Sequence, residues 1–310
     1  MLILAFRRFL SMALIMVIVS FTLFAIFESD KLAVAGKVLG PYSSTEQREL
    51  WLENNGYNEP FLERYVTWVG NALTGDFGYS IQYKSPVSEV LWPRLANTAI
   101  LAGLYMAFMI PLSLTLGVIA GMKEGSLQDR VVSVGSVLTT SVPEFASATF
   151  FSAIFVFWLG WLPGTSAMTS GFSWAEIFLP VFVLVVYGFG YTARMTRASM
   201  AEVMTSHYIR TAVLKGIPYR RVIMRHALRN ALIAPFTVII LQLNWLLSGV
   251  IVVEVFFAYK GFGKLLLDGA LFGDIYVIEA CTLVAVFVAV FSQFISDIGY
   301  TLLNPRIRFT

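Results

Sequence analysis

The sequence predicts an all-α, polytopic membrane protein with six transmembrane helices. Three observations carry that prediction. The 310 residues are 57% hydrophobic and only 13% charged, about half the charged share of a soluble domain. Six apolar stretches approach or exceed the roughly 20 residues that a helix needs to cross a bilayer: 9–27, 98–120, 131–159, 177–193, 233–257 and 277–302. Basic residues gather on alternate connecting segments, which orients the spans.

The first stretch follows Arg7-Arg8 and precedes Ala33-Val34-Ala35, a pattern with the flavour of a signal peptide. The apolar run is too long for a signal core, and Glu28, Asp30 and Lys31 intervene before the small residues. An uncleaved first helix, residues 1–27 with its tail, is expected. Residues 28–97 form an extracytoplasmic loop rich in Trp, Tyr, Asn and Gly, too small and polar for an enzyme domain. Residues 98–310 form the transmembrane core, with a cytoplasmic loop at 194–232.

With the N-terminus inside, the inner segments hold 14 of the 22 Lys and Arg. These are Arg7, Arg8, Lys123, Arg130, eight between Arg194 and Arg229, Arg306 and Arg308; the accompanying acids are Glu124, Asp129 and Glu202. Both termini are therefore expected in the cytoplasm. The single cysteine, Cys281, excludes a disulfide framework, and with two histidines it cannot build an ordinary structural zinc site.

The segment 194–230 is the informative interruption. Gly216 divides it and Pro218 follows, which reads as helix, glycine stop and a second helix starting at proline. Met200, Val203, Met204, Tyr208 and Ala212 share one helical face. Arg221, Arg225 and Arg229 make a basic stripe beside Val222, Ile223, His226, Ala227 and Asn230. Such a hairpin can lie on anionic lipid or fill a groove on a cytoplasmic partner. A basic patch is also a nucleic-acid footprint, but here it is pinned between spans.

These residues resemble the cytoplasmic loop of ABC importer permeases. The family pattern is Glu-Ala-Ala, three residues, Gly; here Arg210-Thr211-Ala212 and Gly216 match it, in the form YIRTAVLKG…HALRNALIAP of the dipeptide, oligopeptide and nickel branch. Arg210 replaces the general Glu, and Pro235 lies later than the general pattern places it. Further blocks match in order: 58–80 around Gly75-Asp76-Phe77-Gly78, SVPEF at 141–145, WLP at 161–163, VVEVFFAYKGFGKLL at 252–266 and DIGYTLLNPRIR at 297–308. Asn304 stands where the last block has Asp, and ESDKLAV stands where the branch has Pro-Gly-Asp. The layout is similar to the first of the two permease subunits of such systems.

The resemblance implies a type I ABC importer permease fold. It implies a second homologous permease, two ATPase subunits that carry ATP and Mg, an extracytoplasmic substrate-binding protein, and a bacterial or archaeal cytoplasmic membrane. Short peptides are the implied cargo; nickel chelates, oligosaccharides and modified peptides remain open. Tyr208, Arg210, Thr211, Ala212, Lys215, Gly216 and Ile217 are the implied ATPase contact. No cofactor is expected in this chain and no nucleic acid as partner.

The residues themselves argue against enzyme chemistry. No G-x-x-x-x-G-K-[ST] occurs. Gly261-Phe262-Gly263-Lys264 has the wrong spacing, and Gly188-Phe189-Gly190 sits in a span with no acid about 20 residues on. A charge at bilayer depth costs about 2.5–3.5 kcal/mol on insertion scales, so Glu144 needs an account. It either faces the pore or serves the backbone freed by Pro143. Gln242 and Asn244 are two apart, so at most one lines the pore. Glu254 and Asp297 read as capping or interface groups, and Pro111 and Pro143 as kinks. A membrane scaffold or channel without an ATPase is the competing class.

Overall fold

The computed structural model describes the backbone of residues 2–169 and 171–303, and side chains of residues 6–169, 171–242, 245–246 and 250–295. The side chains of Asn244 and Asp297, and Asn304, Arg306 and Arg308, lie outside that description. Among the described residues the chain is helical, with one isolated antiparallel bridge, Tyr79 to Pro86, and no strand. Four described helices are long and apolar enough to cross a membrane, or up to six if each of two bent pairs is counted as one span.

Two compact units form: Met1–Thr98 with Gly261–Ile298, and Ala99–Lys260 with Gly299–Thr310. In the first, α1 (Leu2–Glu28) is followed by three short helices, α2 (Lys31–Leu39), α3 (Thr45–Asn54) and α4 (Phe61–Thr74). The segment expected as a loop is thus largely helical. Its starts are chemical: Asp30 accepts from the Ala33 N–H, and Ser44 and Gln47 make a reciprocal capping box. Helix α4 is held to α1 by aromatic edges: Phe21 and Phe24 meet Phe61 and Tyr65, and the Tyr65 and Ser20 hydroxyls lie 2.8 Å apart. Glu28 closes this corner with ion pairs to Lys31 and Arg64.

The Gly75–Gly78 block is a turn. Gly75 stops α4 in the left-handed region, and Asp76 accepts from the Gly78 N–H at 3.0 Å. The following residues are pinned by Asp274, which is 1% exposed. Its Oδ2 accepts from Ser80 Oγ at 2.6 Å and from the Gln82 N–H at 3.0 Å. Helices α5 (Val87–Met122), α13 (Phe262–Phe272) and α14 (Ile275–Leu303) supply the core, in which Val87, Leu91, Phe262, Leu265, Val277 and Cys281 are buried.

In the second unit α6 (Leu127–Ser141) and α7 (Glu144–Ser152) stand where one kinked span was expected. With the π-helical turn Ala153–Trp158 they form a pair bent by 102°. The cause is Pro143, whose ring disfavours helical geometry at Val142; both residues are extended, with ψ 124° and 148°. Pro111, by contrast, lies inside α5, a helix that runs on for its full 36 residues. Helix α8 (Trp174–Met204) has 31 residues, about 46 Å at 1.5 Å per residue, longer than the roughly 30 Å hydrocarbon core. It packs against α6, α7 and α12 (Ile233–Phe256). Small residues of α5 bring it close to α8. A Cβ on Gly117 would meet Thr196 at 2.5 Å, and one on Gly121 the Arg197 carbonyl oxygen at 2.5 Å.

Candidate functional site

The basic interruption folds as a compact hairpin. Helix α9 (His207–Leu214) ends, the chain reverses, and α10 (Tyr219–Arg221) runs into a π-helical turn, Val222–Ala227, then α11 (Leu228–Ala231). The reversal is a complete Schellman motif. Gly216 has φ +74°, its N–H donates to the Val213 carbonyl at 2.9 Å, and the Ile217 N–H donates to the Ala212 carbonyl at 3.3 Å. A side chain at φ +74° would be strained, which is why glycine stands there. Pro218 then caps α10.

The hairpin has its own core. Ile209, Ala212, Val222, Ile223, Ala227 and Ala231 are buried together with Met200 of α8, and Val203, Met204 and Ile217 pack on them. Tyr208 is tied across the hairpin, its hydroxyl accepting from Asn230 Nδ2 at 2.8 Å. Of the seven residues singled out in the sequence, Tyr208, Arg210, Thr211, Lys215 and Gly216 are exposed, while Ala212 is buried and Ile217 turned partly inward. The stripe Arg221, Arg225 and Arg229 is exposed. Sequence reasoning missed the apolar tip: Leu214 is 80% exposed, and Val213 and Tyr219 are each half exposed. A signal existed, because Leu214 falls opposite the Ile209–Ala212 stripe on a short helix.

A second feature was also missed. Asp129, 4% exposed, accepts from Arg197 Nε and Nη2 at 2.8 Å each, from the Gly125 N–H at 2.8 Å and from Ser133 Oγ at 3.2 Å. Arg197 Nη2 also reaches Glu124 at 3.2 Å. Ser126 caps α6 by accepting from the Asp129 N–H, which fixes the carboxylate at the helix start. A bidentate clamp therefore joins the 123–130 turn to α8, two turns before the helix ends at Met204. No sequence spacing announces a pair 68 residues apart.

The predicted polar residues of the spans separate. Gln242 is fully engaged: it accepts from the Tyr105 hydroxyl at 2.6 Å and donates to Thr192 Oγ1 at 2.9 Å and to the Gly188 carbonyl at 3.3 Å. It lines a cavity of about 250 Å³. Glu144 begins α7 and is half buried. Glu254 is wholly buried.

Long apolar helices around a compact basic hairpin define a multi-pass helical membrane protein. Residues 113–309 match the family described as binding-protein-dependent transport system inner membrane component, and the chain belongs to that family. Among its relatives is the oligopeptide transport system permease protein AppB of Bacillus subtilis, 33% identical over 279 residues, 88% of each chain. The glutathione transport system permease protein GsiC of Shigella flexneri is 33% identical over 272 residues, again 88% of each chain.

Proposed function

We propose that this chain is one of two permease subunits of an ATP-driven importer of short peptides in the cytoplasmic membrane of a bacterium or archaeon. It crosses six times with both termini inside, the two bent pairs each serving as one span. Two ATPase subunits, which hold ATP and Mg, dock on the hairpin, and an extracytoplasmic binding protein delivers cargo. The names of similar permeases, which include oligopeptide and glutathione carriers, support peptide as the cargo.

One observation carries the docking assignment. The hairpin buries Ile209, Ala212, Val222 and Ile223 in a core shared with α8, yet it presents Val213, Leu214 and Tyr219 to solvent amid Arg210, Lys215 and Arg220. A bare apolar tip on a helical hairpin is what a groove on a soluble subunit would cover. Motion imposed there passes into Met200, Val203 and Met204 of α8 through the shared core, and through Arg197 into the 123–130 turn. ATP-driven closure of the ATPases would thereby move the spans. The chain supplies no group to the hydrolysis itself.

Affinity purification from mild detergent tests this reading. Wild type should retain a second permease and ATPase subunits, and Gly216→Pro should insert normally but lose the ATPases. A wild-type chain that emerges alone or with lipid only, where such complexes survive, would point to the scaffold or lipid-binding alternative instead.

A further inference from the structure

The cavity beside Gln242 has a composition that docking and bundle packing leave unexplained. It is lined by Tyr105 of α5, Thr140 of α6, Tyr187, Gly188, Tyr191 and Arg194 of α8, and Gln242 and Trp245 of α12. Four helices thus contribute to one pocket. Tyr187, Tyr191 and Arg194 lie at i, i+4 and i+7 and share one stripe of α8. Tyr187 stacks on Trp245 with ring centroids 5.4 Å apart and planes 24° from parallel.

Its polar groups divide into two kinds. The Tyr105 hydroxyl and the Gln242 amide are committed to each other, to Thr192 and to Gly188. They brace the wall. Arg194 is different. It is exposed, and among the described residues no carboxylate lies within ion-pair distance of it. Arg197, three residues on, is clamped to Asp129. Arg194 stands about 4.5 Å further back along α8 toward its apolar half. A guanidinium on a cavity wall offers a forked set of donors to an anionic group.

We propose that this pocket contacts the cargo during passage, with Arg194 taking the carboxylate end of a peptide and the tyrosine and tryptophan rings holding its last side chain. The proposal rests on the peptide reading above. Short peptides of different sequence share only their backbone and its two charged termini. The pocket is lined by one cation and no acid, which selects the carboxylate over the ammonium. Aromatic faces accept varied side chains without demanding a fixed pattern of donors. At about 250 Å³ the cavity is smaller than the ~300–1,000 Å³ of sites that enclose whole ligands, so it fits one end of a peptide.

The test uses the complete transporter in nanodiscs, loaded by its binding protein with a tripeptide bearing benzoylphenylalanine at its free C-terminus. After photolysis, mass spectrometry should place adducts on Tyr187, Tyr191 or Trp245. In proteoliposomes, Arg194→Gln should lower uptake of that tripeptide about tenfold at sub-saturating concentration, and Arg194→Lys should lose less, as expected for a charge-assisted contact. Adducts confined to other helices, with uptake unchanged in Arg194→Gln, would overturn the pocket alone. Loss of a retained phospholipid in Arg194→Gln, with uptake unchanged, would assign the arginine to a headgroup and overturn it equally. A wild-type complex that imports no peptide at all would remove the peptide reading and this proposal together. The wild-type adduct map decides the matter even if Arg194→Gln does not assemble.

Discussion

Replacing Asp129 with alanine should be among the most damaging single changes outside the hairpin. The carboxylate accepts four hydrogen bonds, two of them from one guanidinium in bidentate geometry. Breaking a buried ion pair by deleting one partner costs about 3–5 kcal/mol. Here the cost is smaller, because the Arg197 side chain is 27% exposed and already reaches Glu124, so water and Glu124 take part of its charge. About 2–3 kcal/mol remains. For chains of 150–250 residues each kcal/mol moves the unfolding midpoint about 2–4 °C; with a longer chain, the lower end gives a fall of about 4–6 °C. The assay is thermal unfolding of the purified permease in detergent, read beside peptide uptake by the assembled complex. Arg197→Lys keeps the charge but not the fork, so it should lose about half as much. Uptake should fall in both, because the clamp links the 123–130 turn to the helix that bears the hairpin. An Asp129→Ala chain within about 1 °C of wild type, with full uptake, would show that the clamp carries neither stability nor coupling.

Three further outcomes are expected. A Cβ at Gly216 meets nothing within 4 Å, so Gly216→Ala should cost only the left-handed strain, about 1–2 kcal/mol, and keep measurable uptake. Gly216→Pro also loses the donor to Val213 and should abolish it. A Cβ at Gly188 would overlap the Tyr105 hydroxyl; Gly188→Ala should destabilise by about 1–3 kcal/mol, measured as a lower unfolding midpoint, while Gly70→Ala, where a Cβ meets nothing within 4 Å, serves as the control. Asp274→Ala strands the Gln82 N–H and the Ser80 hydroxyl, a loss of about 1–3 kcal/mol, and hydrogen exchange should accelerate at residues 78–86 without change in the hairpin.

What the sequence disclosed and what it hid follow from the range of the forces involved. The hairpin was legible because its turn is local: Gly216 and Pro218 act on their own backbone, and the arginine stripe repeats every four residues. Four helices long and apolar enough to cross a membrane were legible from their length, whereas Val142 and Pro143 turn the helix pair expected as the third span through 102°, an angle that a proline permits but does not specify. The helical character of residues 31–74 was hidden because those helices are short and of mixed polarity. The inward turn of Ile217 was hidden too, since an aliphatic residue beside a turn suits either a core or a contact. The Asp129–Arg197 clamp and the pocket of Tyr105, Tyr187, Arg194, Gln242 and Trp245 depend on helix rotation. Rotation is set by close approach at residues such as Gly117 and Gly121, which carry no pattern of their own.

The central claim is that the exposed tip of the hairpin seats an ATPase subunit. It is tested most directly by placing a cysteine at Leu214 and cross-linking within the assembled transporter. The single native cysteine, Cys281, is fully buried, so background reaction is small. The account predicts that Leu214→Cys forms a covalent adduct with an ATPase subunit, while Ile223→Cys, inside the hairpin core, forms none. A Leu214→Cys chain that labels freely with a soluble maleimide in the assembled complex, and never cross-links to an ATPase, would contradict it.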